Sequence, residues 1–450
     1  MNPIGKRALN TENSKNLTEG PIYKSLIRFV LPVLAAMFLQ SLYGAVDLFV
    51  VGRFAETADV SGVASGSIFI QTFTMVVSSL STGLTVVIGQ KIGEGKREEA
   101  GCAVTSGIVI FGVIAVVLTL IIALFPGQLS ALMDAPEEAF AQTTQYIRIC
   151  GIGSVFIVGY NVLGAIFRGI GDSKTPLLTV GIACVLNIIG DLIFVAGFHM
   201  GAAGAALATV IAQALSVVIS LLVIARKELP FALRRPQKDV IGLELRIGAP
   251  LGLQELLVGI SFVVVQTAVN GISLVASAGV GVGEKVCAFV ALIPMGFMQA
   301  VAAFVAPNMG AQKPERAKKA TAYAMITAVA VCLIISVFTF LRGNLLAAIF
   351  DSDTAVITAA HDYLKSYAID FVLASVLFSL IGYFDGCGKT MFVMVQGLVG
   401  AVLVRVPFVL TASKVPGVSL FAIGLGTPCA TTIQLLLFLV FWLMLKRKKT

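Results

Sequence analysis

Between residues 60 and 89, and again between 101 and 124, the chain carries no Lys, Arg, Asp or Glu. Runs this long exceed the roughly 20 apolar residues that cross a bilayer as an α-helix. Inside hydrocarbon every backbone N–H and C=O must be paired within the protein, and a helix does this within its own segment. The pattern recurs along the whole chain. Spans read at 25–51, 60–89, 101–124, 142–167, 176–197, 201–225, 247–274, 276–306, 320–341, 363–383, 392–411 and 418–445. With 58% hydrophobic and 12% charged residues, a soluble fold could not cover its surface, because a soluble domain carries about twice that charged share. The expected class is an all-α integral membrane protein of twelve transmembrane helices.

Twelve spans put both termini on one side, and most of the 32 basic residues fall on that side. They include Lys6, Arg7, Lys15, Lys24 and Arg28, then Lys91, Lys96 and Arg97, then Arg168 and Lys174. Arg226, Lys227, Arg234, Arg235, Lys238 and Arg246 follow in the middle, then Lys313, Arg316, Lys318, Lys319 and Lys389, and the Lys446–Lys449 tail. Asp134, Glu137 and Glu138 fall in a loop of the opposite face. The excess of Lys and Arg in cytoplasmic loops therefore predicts cytoplasmic termini and a multi-pass protein of the cell membrane. Topology accounts for the net charge of +8, and no nucleic-acid partner is needed. The first apolar stretch is too long for a cleavable signal peptide. The basic tail reads as a lipid-headgroup anchor.

The halves repeat. At an offset of 218, Arg28 and Pro32 fall on Arg246 and Pro250; at 217, Lys96, Glu98 and Ala100 fall on Lys313, Glu315 and Ala317. Phe167-Arg168-Gly169-Ile170-Gly171 falls likewise on Phe384-Asp385-Gly386-Cys387-Gly388. Six helices per half give the copies one orientation, related by an axis along the membrane normal. The expected organisation is a cytoplasmic segment 1–24, a first lobe 25–225, a cytoplasmic linker 226–246 with Pro230 and Pro236, a second lobe 247–445 and a tail 446–450. Two six-helix lobes around a cleft are the usual build of an alternating-access carrier, not of an enzyme. Pro32 and Pro250 interrupt equivalent helices and are candidate hinges.

A carboxylate in hydrocarbon is costly unless paired or protonated, so each one needs a reason. Asp47 and Asp191 lie roughly 6–9 Å from the outer ends of helices 1 and 5, and Thr209 about 12 Å down helix 6, at 1.5 Å per residue. Asn187 is one turn from Asp191, on the same face. Their depth thus places Asp47, Asn187, Asp191 and Thr209 in one thin layer of the first lobe, a candidate H⁺ or Na⁺ site. The counterparts of the two acids and Asn187 are Val265, Val404 and Phe408. Residues needed only to hold a lobe together would recur in its copy, so the asymmetry favours function. Two carboxylates in one dry pocket do not both ionise cheaply, so the pair suits proton carriage; with Asn187 and Thr209 it equally offers hard oxygen ligands to Na⁺. The second lobe holds Glu255, Glu284, Asp370 and Arg405, with Arg405 and Glu284 at similar depth and expected to pair. These are secondary candidates for a substrate or polar site.

Other chemistry is poorly supplied. Gly169-Ile170-Gly171-Asp172 matches the GxGD string of intramembrane proteases but falls in a short loop and reads as a turn. No P-loop, dinucleotide fingerprint or HExxH motif occurs. His199 and His361 are placed outside the membrane, and the seven cysteines lack disulfide or metal spacing. No cofactor beyond the coupling ion, and no obligate protein partner, is expected.

Several strings together carry a family resemblance. Pro32 leads to Val46-Asp47-Leu48-Phe49-Val50-Val51-Gly52-Arg53, and Gly89-Gln90-Lys91-Ile92-Gly93-Glu94-Gly95 follows helix 2. Phe167 to Pro176, Leu186-Asn187-Ile188-Ile189-Gly190-Asp191 and Gly201 to Thr209 complete an ordered set over nearly the whole length. The chain resembles the multidrug and toxic compound extrusion (MATE) family, in a superfamily that also holds lipid-linked oligosaccharide flippases. The resemblance implies export of amphipathic, often cationic drugs or toxins against an inward H⁺ or Na⁺ gradient. It maps the first-lobe cation site of prokaryotic members onto Asp47, Asn187, Asp191 and Thr209. Other branches use second-lobe acids on helices 7 and 10; Glu255 and Asp370 lie on those helices, displaced along them. A flippase would need several Arg or Lys in the cleft for its pyrophosphate, and here Arg405 is the main one.

Overall fold

The computed structural model describes residues 17–226 and 229–447, and these are helical with no strand among them. Lys6, Arg7, Lys15, Lys227, Lys448 and Lys449 lie outside the described residues. Eleven helices are each long and apolar enough to cross a membrane, and a bent pair completes a twelfth span. In chain order they are α1 (Ile22–Phe54), α2 (Thr57–Gly93), α3 (Arg97–Leu124), α4 (Phe140–Ile152 with Ser154–Gly169), α5 (Lys174–Gly197) and α6 (Gly201–Arg226). The second set is α7 (Lys238–Asn270), α8 (Leu274–Gly310), α9 (Pro314–Ala347), α10 (Thr354–Gly386), α11 (Thr390–Ala412) and α12 (Leu420–Arg447). Within α4 the two pieces meet at 54°. Gly153 at that corner lets Val210 of α6 approach so closely that a methyl there would sit 2.5 Å from its side chain.

The two sets share one packing plan. In the first lobe α2 packs on α4, α1 on α5 and α5 on α6; in the second, α8 packs on α10, α7 on α11 and α11 on α12. Turns repeat too: Gly171 and Gly388, one repeat apart, both have positive φ, +79° and +71°, a conformation that costs glycine little. The described cysteines are unbonded, and five of them are buried.

Helices outrun their apolar stretches. The seventh begins at Lys238, where hydropathy had suggested 247, because Gln237 is extended at φ −121° and ψ 137° and Asp239 follows in the first turn. Val240, Glu244 and Ile247 are then buried at the i, i+4, i+7 spacing of one helix face. Charged first turns projecting from the bilayer are helical without being apolar.

Both lobes exchange part of a helix at the end that carries the basic loops. Leu26, Phe29 and Val33 of α1 belong to an apolar cluster with Phe304, Ala317 and Phe384 of the second lobe. Farther along α1, Val50 and Val51 pack with Tyr146, Ile157 and Ala205 of the first lobe. In α7 the same exchange runs in reverse. Val240 and Ile247 pack with Ile88, Ala103 and Phe167 of the first lobe, and Val265 and Val269 with Tyr363 and Ile423 of the second. Pro32 and Pro250 lie where each helix passes from one lobe to the other, and both helices run unbroken through them.

Close backbone approaches seal this end. Gly83 of α2 lies so near α7 that a methyl on it would be 2.8 Å from the Glu244 carbonyl oxygen and from the Gly248 nitrogen. A methyl on Gly93 would run into the Pro307 carbonyl, and one on Gly310 into the Gln90 carbonyl. Gly93 and Gly310 are one repeat apart, as are Gln90 and Pro307, so the α2–α8 crossing is two-fold in kind.

Candidate functional site

The α5–α6 interface is built from small residues, and this brings the polar layer together. A methyl on Gly190 would touch Ala208 at 2.8 Å, so the helices pack backbone to backbone, as small residues permit in membranes. Asn187 and Asp191 on α5 therefore face Thr209 on α6 and Asp47 on α1. All four are buried: Asp47 is 5% exposed, Asn187 1%, Asp191 0% and Thr209 6%. Asn187 Nδ2 donates to Thr209 Oγ1 at 3.4 Å, and Thr209 Oγ1 donates to Asp47 Oδ2 at 3.3 Å. Thr209 Oγ1 thus links Asn187 of α5 to Asp47 of α1.

Directly after Asp191 the helix widens into a π turn over Leu192–Gly197, a feature frequent at functional sites. Asp47 Oδ1, Asn187 Oδ1 and both Asp191 oxygens have no donor among the described residues. Buried acceptors are normally satisfied. Four convergent oxygens without donors suit a proton, or a hard cation that takes oxygen ligands.

One turn closer to the basic end, Tyr43, Tyr160 and Gln213 join Asn187 and Thr209 in lining a small cavity, with Gln213 Nε2 donating to Tyr43 Oη at 3.5 Å. Tyr43 precedes Asp47 by four residues and Gln213 follows Thr209 by four, so the helical face that selected the acids also contained these neighbours. Being uncharged, they carry none of the intramembrane cost that singles out the acids in the sequence.

The second-lobe candidates do not gather into one site. Glu284 accepts hydrogen bonds from Tyr363 Oη at 2.6 Å and Tyr367 Oη at 2.9 Å, and Thr427 Oγ1 donates to Tyr367 Oη at 3.1 Å. The expected Arg405–Glu284 pair is not formed. Arg405 instead donates to Ser261 Oγ and lies over the Phe262 ring at 3.8 Å, at the end of a second π turn, Val399–Arg405. Glu284 is thus met by phenols and Arg405 by a hydroxyl and an aromatic face. Asp370 on α10 is buried, with no donor to Oδ1 among the described residues. Glu255 is half-buried on α7.

Two further acids bear on the reading. Glu244 is buried at the α2–α7 seam with no donor to either carboxyl oxygen among the described residues. In sequence it was indistinguishable from linker charge. Asp172 of the GxGD string accepts from the Lys174 and Thr175 nitrogens at 3.0 and 3.1 Å, and so caps the start of α5 as a turn residue does.

Comparison with known proteins places this frame. A probable multidrug resistance protein of Bacillus subtilis, YpnP, is 25% identical over 413 residues, spanning 91% of this chain and 93% of the relative. The multidrug export protein MepA of Staphylococcus aureus is 24% identical over 440 residues, spanning 94% and 95%. Among solved structures, an outward-facing multidrug resistance MATE transporter of the MOP superfamily superposes with a TM-score of 0.91 at 20% identity, covering 98% of this chain and 99% of that one. A MATE crystal structure in complex with MaL6 superposes at 0.90 with 21% identity, over 98% of this chain and all of that one. The MatE family model matches twice, over residues 32–193 and 250–411, one match per lobe, and this chain therefore belongs to the MatE family of multidrug and toxic compound extrusion transporters.

Proposed function

We propose that this protein is a secondary active exporter that expels amphipathic or cationic drugs and toxins in exchange for H⁺ or Na⁺ by alternating access. One observation carries the reading: Asp47 and Asp191, buried side by side in one lobe, with oxygens that no protein donor satisfies. Their repeat counterparts are Val265 and Phe408, so the pair is no requirement of the fold. The coupling ion is cargo, held by Asp47, Asn187, Asp191 and Thr209. It drives a conformational step only by binding one state better than the other. Loading neutralises the two acids where α1 packs on α5, so α1 repacks about Pro32 and the first-lobe cavity shrinks on its drug; Pro250 serves α7 likewise.

The protein sits in the cell membrane with the basic loops and both termini in the cytoplasm, among lipids, with no cofactor, no catalytic role, no nucleic acid and no obligate protein partner. On that orientation the described structure is closed to the inside. The expected domain limits, with a linker over residues 226–246, belong to the same reading. A pyrophosphate-lipid flippase is the less favoured alternative, because Arg405, the main cation offered to such a substrate, is already engaged by Ser261 and Phe262.

The test is efflux of a fluorescent lipophilic cation from sealed vesicles under separate H⁺ and Na⁺ gradients. Asp47→Asn and Asp191→Asn should each lower gradient-driven efflux by tenfold or more at matched expression, and the effective gradient names the ion. Undiminished efflux in both variants sinks the first-lobe site and redirects attention to Glu255. No efflux by the unaltered protein under either gradient favours the flippase.

A further inference from the structure

The chain enters each lobe through a strap that is fastened to the other lobe. Ahead of α1, four successive backbone carbonyls are captured by three side chains at the α8–α9 corner of the second lobe. Asn308 Nδ2 and Arg316 Nε both donate to the Leu17 carbonyl at 3.2 Å, and Lys313 Nζ donates to that of Thr18 at 3.1 Å. Arg316 Nη2 donates to Glu19 O at 2.6 Å and Nη1 to Gly20 O at 2.7 Å. Gly20, at φ +74°, then turns the chain into α1. The Leu17 side chain is buried beneath this fork and faces Gly171 of the first lobe. A guanidinium spending all three nitrogens on one short segment marks a built receptor, since its planar fork must match the acceptors.

The segment ahead of α7 does the equivalent on the first lobe. Phe231 is buried in the apolar cluster of Ala100 and Ala103, and the Ala232 carbonyl fills the space where Gly101 would carry a methyl. Arg234 Nη2 meets Glu98 Oε1 at 2.5 Å, and Gln237 N donates to Ser106 Oγ at 3.4 Å. This receptor is the start of α3, and the other is the start of α9, the equivalent helix one repeat later. Each strap continues directly into the half-helix that its lobe lends to its neighbour, the part of α1 before Pro32 and the part of α7 before Pro250.

We propose that the two straps form a paired clasp on the cytoplasmic face, anchoring the exchanged halves of α1 and α7, and that the clasp must release before this face opens. The inference rests on the alternating-access reading. It differs from the cation site in place and in consequence: it sets the balance between sealed and inward-open states and leaves ion binding alone. The first strap is the more polar of the two, with five hydrogen bonds over a buried leucine. The second is held chiefly by buried Phe231, because its ion pair has partners 52% and 77% exposed and exposed pairs contribute little.

The test measures the lobe-to-lobe distance by pulsed electron spin resonance on the full chain in lipid nanodiscs. Labels are carried by Lys174→Cys and Lys389→Cys on the two cytoplasmic loops, with native cysteines replaced. Asn308→Ala with Arg316→Ala should enlarge the long-distance population at least tenfold, and Glu98→Ala should enlarge it less. Arg316→Lys keeps the charge but not the fork and should fall between the unaltered protein and Arg316→Ala; it also serves if the double variant folds poorly. A cleavable thiol cross-link from Glu19→Cys to Lys313→Cys should abolish the long-distance population, and reduction should restore it. An unchanged distance distribution in folded strap variants overturns the clasp, as does a long-distance population that persists under the cross-link. None of these readouts needs transport, so failure of the clasp is separable from failure of the proposed export.

Discussion

Gly83→Ala tests whether the α2–α7 seam is as tight as it looks, and its size can be worked from contacts. The added methyl would stand 2.8 Å from the Glu244 carbonyl oxygen and the Gly248 nitrogen, and 2.9 Å from the Gly248 Cα. Ordinary carbon contacts begin near 3.5 Å, so the helices must separate by roughly half an ångström or more. Every clashing atom is backbone, so no rotamer change relieves it. Overpacking of this kind costs about 1–3 kcal/mol, a fall of about five- to 150-fold in the ratio of sealed to inward-open protein if the open state frees the seam. Alanine also favours the helix by up to about 1 kcal/mol, but α2 stays helical in both states, so that gain cancels from the ratio. Thermal stability mixes the two terms and is the poorer assay; the distance distribution between the lobes isolates the one of interest. Gly281→Ala, whose added methyl would meet nothing within 4 Å, controls for labelling and expression and should leave the distribution unchanged. If Gly83→Ala behaves like Gly281→Ala, the seam yields freely and does not hold the sealed state.

Two substitutions probe the second lobe. Tyr367→Phe removes one of the two phenols that Glu284 accepts from and the hydroxyl that Thr427 donates to, and should cost about 1–3 kcal/mol of stability, seen as earlier thermal unfolding in detergent with the coupling ion unchanged. Arg405→Lys keeps the charge but loses the planar stack on Phe262, worth about 2 kcal/mol where desolvated; it should lower stability alone, and a changed drug profile at normal stability would instead put Arg405 in the substrate path.

The membrane fold was legible because hydrocarbon imposes the strictest rule in protein structure, that backbone polar groups pair within the chain. Length and charge then gave the number of spans. What hydropathy could not give was where helices stop, as at Lys238, since a helix projecting into water keeps its hydrogen bonds and changes only its side chains. The polar layer around Asp47 was legible for a different reason: depth along a helix is linear in residue number, so residues on three helices could be compared before any contact was known. Arg405 shows the limit of that arithmetic. Equal depth brought it level with Glu284, but depth says nothing of rotation about the helix axis, and the π turn ending at Arg405 shifts that rotation with no simple signature in the sequence. The straps were illegible because their acceptors are backbone carbonyls, which no residue type announces.

The unequal interiors of two lobes with one packing plan bear on how such a carrier can work. A strictly symmetric pair would load ions in both lobes or in neither, and would move about its axis with no preferred side. Here the α1–α5–α6 layer carries two acids and unmet acceptors, while the equivalent layer keeps only Thr427 and gives its hydroxyl to a tyrosine pair satisfied by Glu284. The Glu284–Tyr363–Tyr367 cluster of the second lobe is thus matched, glutamate to phenols, whereas the equivalent first-lobe layer holds two acids with unmet oxygens. Partly satisfied buried networks weaken the state that contains them. If the first-lobe layer takes the ion, as proposed, the packing that changes is that of α1, α5 and α6, and the half-helices exchanged ahead of Pro32 and Pro250 link that change to the other lobe. On this view symmetry supplies the two-fold seam that opens and closes, and the departure from symmetry supplies the direction.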